Sequence, residues 1–236
     1  MEPTLLTTLA LGFLLGMGHA LDADHVVAVS TLVSQLRTLR RSSLVGIVWG
    51  LGHTATLFLV GLLVIFFKIT IPDRLTLSLE FAVGVILVTL GASVLKGYLT
   101  GRVHIHVHRH GEETHLHFHS HGGGEGHDHE NPMPRHRRTL VVGMMHGLAG
   151  SAALMLLVLS TIRVPGLGLL YIVVFGVGSI VGMLGISTLL SVPFVLTHEG
   201  FARIHRGIRI AVGSASLVYG VWIMGYIGIG GGLFRF

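Results

Sequence analysis

Cysteine is absent from the 236 residues of this chain, which excludes disulfides, thiolate metal sites and cysteine nucleophiles. Histidine and carboxylate are the strong metal ligands that remain. Charge is scarce as well: 11% of the residues are Asp, Glu, Lys or Arg, against 51% hydrophobic and 34 glycines, with a mean hydropathy of +0.76. No soluble domain of this size normally carries that profile, so the composition reads as an integral membrane protein. Missing too are a Gly-x-x-x-x-Gly-Lys-Ser/Thr phosphate loop, a catalytic serine motif and a cofactor fingerprint, so neither an enzyme nor a bound cofactor is expected. The net charge of +5 does not call for nucleic acid, because the basic residues sit between apolar segments where membrane topology accounts for them. Met1-Glu2-Pro3 lacks the basic region of a signal peptide, so the first apolar run is expected to be a retained span.

A bilayer core of about 30 Å takes roughly 20 helical residues to cross. Six stretches qualify: 4–34, 44–67, 79–99, 139–162, 166–195 and 208–233. The fold class expected is all-α, with six transmembrane helices. Twelve of the 16 basic residues follow spans 1, 3 and 5, and only Lys68, Arg74, Arg163 and Arg235 fall on the other side. The positive-inside rule then puts both termini outside the plasma membrane, and the loop between spans 3 and 4 in the cytoplasm. Residues 196–209, with His198, Glu199 and His205, read as an interfacial cytoplasmic loop.

The halves resemble one another. Gly16-Met17-Gly18-His19-Ala20-Leu21 parallels Gly143-Met144-Met145-His146-Gly147-Leu148, and Ala82-Val83-Gly84 parallels Ala211-Val212-Gly213. The expected organisation is a three-helix repeat over 1–101, a His-rich cytoplasmic loop without regular structure over 102–138, and a second three-helix repeat over 139–236. Three is odd, so the second repeat is inverted relative to the first, the plan of many secondary transporters, whose sites lie near the midplane. Gly12 and Gly16, Gly46 and Gly50, Gly143 and Gly147, and Gly178 and Gly182 are each four apart, a spacing that lets helix backbones approach closely.

Within span 1, His19-Ala20-Leu21-Asp22-Ala23-Asp24-His25 puts four ionisable side chains into seven residues of an otherwise apolar segment. Such a cluster is costly in lipid and marks an ion or proton path. At about 100° per residue, His19, Asp22 and His25 share an arc and Asp24 does not. A regular helix therefore cannot aim all four at one ion. Either the helix unwinds there, or one aspartate orients a ligand imidazole without touching the metal. Imidazole with carboxylate suits nickel, cobalt, zinc or copper better than magnesium or calcium. His53, in Leu51-Gly52-His53-Thr54, and His146 are further candidate metal ligands.

His19, four intervening residues and then Asp24-His25 resemble the signature of the nickel/cobalt transporters often called NiCoT, and Leu51-Gly52-His53-Thr54 resembles their second motif. The resemblance covers under a third of the chain. It implies metal-site roles for His19, Asp24 and His25, a supporting role for His53, and Asp22 carried in the same run. Typical members have eight spans with the signature in the second. Here it lies in the first, which resembles a six-span branch related to urease-associated nickel permeases. The acidic motifs that members carry further along are not found; the region reads Gly143 to Ser151 without a carboxylate, which bears on metal preference and affinity.

The 102–138 loop holds eleven of the 17 histidines, among them His104, His106, His108, His110, His115, His117, His119, His121, His127 and His129. Imidazoles at this density chelate Ni2+, Zn2+, Co2+ or Cu2+ with low selectivity, so an accessory metal-binding loop is expected. The function expected is a secondary permease importing Ni2+ or Co2+, since a divalent cation moving inward through about 100 mV gains about 4.6 kcal/mol without ATP. Its expected partners are the transition-metal ion, the bilayer and cytoplasmic nickel-enzyme maturation proteins, with no nucleic acid. An exporter of the same metals and a membrane-bound nickel chaperone are the competing readings.

Overall fold

The computed structural model describes residues 5–69, 71–99, 103–110, 113–120, 135–161, 164–197 and 201–234. Among the described residues seven α-helices form the body: α1 Leu5–His19, α2 Ala23–Val33, α3 Leu39–Phe67, α4 Asp73–Leu99, α5 Arg135–Thr161, α6 Pro165–Thr197 and α7 Ala202–Gly225. The last continues into a π-helical turn, Tyr226–Gly230. Among the described residues α3, α4, α6 and α7 with its π turn are each long and apolar enough to cross a membrane, and α1 with α2 forms a broken candidate bent by 55°. The body of the chain is thus all-helical, that of a multi-pass membrane protein. α5 occupies the range expected for the fourth span.

The solvation pattern is that of a protein in lipid. Leu6, Leu189, Leu196 and Ile229 are exposed, whereas His25, His53, His146, Ser179, Ser187, Ser191 and Ser216 are buried. Without water to drive helices together, close packing of small residues and interhelical hydrogen bonds hold the bundle. α3 lies between α5 and α6, α6 also packs on α1, and α4 pairs with α7. Thr54 donates to the Gly176 carbonyl at 3.1 Å, and Ser216 on α7 donates to the Leu87 carbonyl on α4 at 2.8 Å. Trp49, Val29, Leu87, Met183 and Phe194 belong to the larger apolar core.

Three boundaries differ from the sequence expectation. Span 1 is two helices, because the chain at Asp22 is extended (φ −58°, ψ 142°). α7 begins at Ala202, inside the stretch expected to be a loop, with His205 accepting or donating at 3.1 Å to Thr197 Oγ1 of α6; His198 and Glu199 lie outside the described residues. Within 102–138, α5 begins at Arg135, and Val103–His110 (β1) pairs antiparallel with Glu113–Ser120 (β2). An alternation of imidazole with Val103, Ile105 and Val107, and with Leu116 and Phe118, is a period-two strand pattern, which is where the ribbon departs from the irregular loop expected.

Gly147 illustrates what close approach requires: a Cβ there would lie 2.5 Å from the His53 carbonyl oxygen. Gly147→Ala is therefore expected to destabilise the protein by about 1–3 kcal/mol. Gly185→Ala, which would meet nothing within 4 Å, is expected to leave the melting temperature in detergent unchanged or slightly raised. Equal melting temperatures for the two variants would contradict this packing.

Candidate metal centre

The site begins at the break. Glycine lowers helix propensity at 16 and 18, and α1 closes with turn bonds from Leu21 N–H to the Gly18 carbonyl (2.9 Å) and Asp22 N–H to the His19 carbonyl (3.1 Å). Asp22 stands at the N-cap of α2, yet its carboxylate does not cap the helix. It accepts instead from His19 Nδ1 at 2.7 Å. Two residues on, Asp24 in the first turn of α2 accepts from His25 Nδ1 at 3.1 Å, a position where the helix dipole favours a carboxylate.

The helix thus unwinds at Asp22, and each aspartate holds one imidazole. A proton held on Nδ1 leaves Nε2 as a lone-pair donor, the arrangement by which a carboxylate orients a histidine for a metal. His146 reaches the same state differently, donating from Nδ1 to the Val142 carbonyl of its own helix at 3.0 Å.

α3 brings His53 in from the opposite side. Ring centroids of His19, His25 and His53 are 4.7, 5.0 and 5.2 Å apart, and His146 lies 5.3 Å from His25. Donor atoms of His19, His25 and His53 all fall within 4.8 Å of one another. Tetrahedral nitrogens on an ion at about 2.1 Å are roughly 3.4 Å apart, so small ring movements bring these three onto one ion. Asp22, Asp24 and His25 make a second set within the same limit.

Satisfaction of buried polar atoms is the sharper test. His25 Nε2, His146 Nε2 and both nitrogens of His53 are buried without a hydrogen-bond partner. Each such group costs about 1–3 kcal/mol when left unmade. Their convergence suits a late divalent transition metal, which imidazole binds well.

A cavity of about 290 Å³ adjoins the imidazoles. Its walls come from the break (His19, Asp22, Asp24, His25), from α5 (His146), from α4 (Glu80) and from α7 with its π turn, where Tyr219, Trp222 and Tyr226 line it. Those three rings stack in sequence with centroids 5.6 and 5.7 Å apart.

All six candidate ligands of the membrane segments, His19, Asp22, Asp24, His25, His53 and His146, therefore cluster. Of the loop candidates, His104, His106, His108, His110, His115, His117 and His119 lie on β1 and β2, while His121, His127 and His129 are outside the described residues. Sequence reasoning passed over Glu80, whose signal was a lone carboxylate within the apolar span, and Ser179, fully buried with an unpartnered hydroxyl.

Two relatives match. The urease accessory protein UreH of Bacillus sp. (strain TB-90) is 42% identical over 231 residues, 98% of this chain and 96% of the relative. The high-affinity nickel transport protein of Cupriavidus necator is 33% identical over 94 residues, 39% of this chain and 26% of the relative. No family model and no solved structure matches the chain.

Asp24→Asn removes the charge that holds His25 while preserving shape. Binding of Co2+ in detergent, followed through its visible absorption bands with the 104–130 loop deleted, is expected to weaken 10–100-fold. Unchanged affinity would contradict an orienting role for Asp24.

Proposed function

Because the chain belongs to the NiCoT-type family of nickel/cobalt transporters, in the branch of the urease accessory protein UreH, we propose that it is a secondary carrier importing Ni2+, and Co2+ as a second substrate, through the imidazoles at the α1–α2 break. The relatives are an accessory protein and a transport protein, and the chain is not an enzyme. The observation that carries the reading is the convergence of buried, unpartnered imidazole nitrogens beside a cavity in the bundle interior.

In this reading six spans form two inverted three-helix repeats, with α1–α2 equivalent to α5, α3 to α6 and α4 to α7. Contacts that recur when the halves are exchanged support it. Gly52 packs on Leu140 as Gly178 does on Phe13, and Gly50 on Ile180 as Gly176 does on Thr54. His19 stacks near Phe175 at 5.6 Å as His146 does near Trp49 at 4.7 Å. His53 lies midway along α3, at the depth where inverted-repeat carriers bind substrate.

The ion sheds water in the cavity and exchanges it for Nε2 of His19, His25 and His146 and for His53, with Asp22 and Asp24 supplying negative charge to the ligand rings. Both carboxylates offset the ion's two positive charges, so the loaded site is close to neutral and can cross the apolar core as one repeat moves against the other. The membrane potential, negative inside, draws the divalent ion toward the cytoplasm. Ligand protonation there favours release.

The β1–β2 ribbon fits a collecting role at the cytoplasmic mouth. Its register sets His104 opposite His119, His106 opposite His117 and His108 opposite His115. These are bis-imidazole positions that Ni2+ shares with Zn2+. Nickel-enzyme maturation proteins are the expected receivers of the ion.

Radiolabelled nickel uptake into liposomes tests the proposal with wild-type protein, with residues 104–130 deleted, and with His19→Ala. Uptake is expected to survive the deletion and to fall at least tenfold in His19→Ala, the lower bound for loss of a metal ligand's support. Normal uptake by His19→Ala, or metal binding by the wild type without any flux, would overturn it.

A further inference from the structure

α4 carries one carboxylate inside its apolar stretch. Glu80 lies seven residues beyond the helix start at Asp73, about 10 Å along the axis. Its face is not turned to lipid: Val83 is buried, Gly84 packs against Gly220 and Met224 of α7, and Glu80 itself is half-buried in the cavity wall. A carboxylate at that depth is expensive unless something compensates it. Among the described residues lining the cavity there is no lysine or arginine, and no ion pair involves Glu80. Asp22 and Asp24 are each engaged by an imidazole, whereas Glu80 has no such partner.

A second observation points to a ligand in the same space. His25 and His146 both line this cavity, and Nε2 of each is buried and unpartnered. The cavity thus offers three carboxylates and unoccupied imidazole lone pairs with no fixed cation. Those walls suit a cation.

We propose that Glu80 is a further metal-binding residue of the carrier, an oxygen ligand that receives the divalent cation in the cavity before it passes to the imidazoles. The proposal rests on the imidazole site being the transport site. On the topology with both termini outside, the N-terminal end of α4 and the C-terminal end of α7 share the outer side, so Glu80 stands between the external medium and His25. Its chemistry fits that place. A single carboxylate holds a late transition metal less tightly than several imidazoles do, and conduction needs sites strong enough to enter yet weak enough to leave. A dehydrating ion that meets Glu80 first exchanges water for one oxygen, then that oxygen for nitrogen, without being bare at any step.

Initial rates of radiolabelled nickel uptake into liposomes, measured against external nickel with the full chain, test this. Glu80→Gln keeps size and polarity but not charge. Uptake well below saturation is expected to drop at least tenfold, the low end of what a cleft of one sign contributes to capture of an opposite charge, mainly through a raised KM. Glu80→Asp is expected to restore most of it. Glu80→His, which substitutes a tighter ligand, is expected to lower maximal flux without raising KM. A role in packing alone would make Gln the mildest of the three changes. Wild-type uptake in Glu80→Gln, or Glu80→Asp no better than Glu80→Gln, would overturn the assignment. If Glu80→Gln yields no folded protein, the other two decide: uptake by Glu80→Asp below a tenth of wild type, or a raised KM in Glu80→His, would overturn the assignment. His19→Ala in the same liposomes separates the two claims: wild-type uptake there would sink the imidazole site itself, whatever Glu80 does.

Discussion

The hydrogen bonds from imidazole Nδ1 to carboxylate across the α1–α2 break are the interaction on which the site depends. At His19–Asp22 (2.7 Å) and His25–Asp24 (3.1 Å), an aspartate that could serve its helix serves a histidine instead. The consequence is a pair of rings held through Nδ1, each with negative charge behind it, and in His25 an Nε2 that is buried without a partner. Without the break, Asp24 would sit off the arc shared by His19, Asp22 and His25. Without the aspartates, the imidazoles would be free to rotate and to protonate Nε2. The bend of 55° and the charge cluster are therefore one device.

The rest of the bundle keeps that device close to His53 and His146. Gly147 lets α5 ride on the backbone at His53, and Gly16 does the same for α1 on α6 beside Phe175 and Ser179. On the proposed two-repeat plan, Ser179 stands where His53 stands in the other half, and Ala149, Ser151 and Ala152 follow His146 where Asp22, Asp24 and His25 follow His19. One half supplies most donors, and the other supplies a matching scaffold and a single imidazole. A cavity lies on the side walled by α4 and α7.

Much of this was legible in the sequence because buried charge in an apolar run has few explanations. The His19 to His25 run, His53 and His146 announced themselves as polar groups in apolar stretches, and the apolar helices α3, α4, α6 and α7 fall in ranges that hydropathy marked. What periodicity could not decide was the backbone at Asp22, since a helix and a broken helix carry the same residues there. Glu80 escaped notice because it sits one residue inside the expected start of its span at 79, where a carboxylate reads as interfacial; α4 begins at Asp73 instead. The alternation from Val103 to His110 was seen as histidine density and not as a strand, although imidazole and apolar side chains alternating with period two are the pattern of a two-faced ribbon.

The central claim is that a transported ion rests on imidazoles gathered at a helix break. Nickel K-edge X-ray absorption addresses it most directly, on protein lacking residues 104–130 and loaded with one equivalent of Ni2+, so that loop histidines do not contribute. The expected spectrum contains the multiple scattering of at least three imidazoles, reduced by one in His25→Ala. A shell of oxygen ligands alone, unchanged by His25→Ala, would contradict the account.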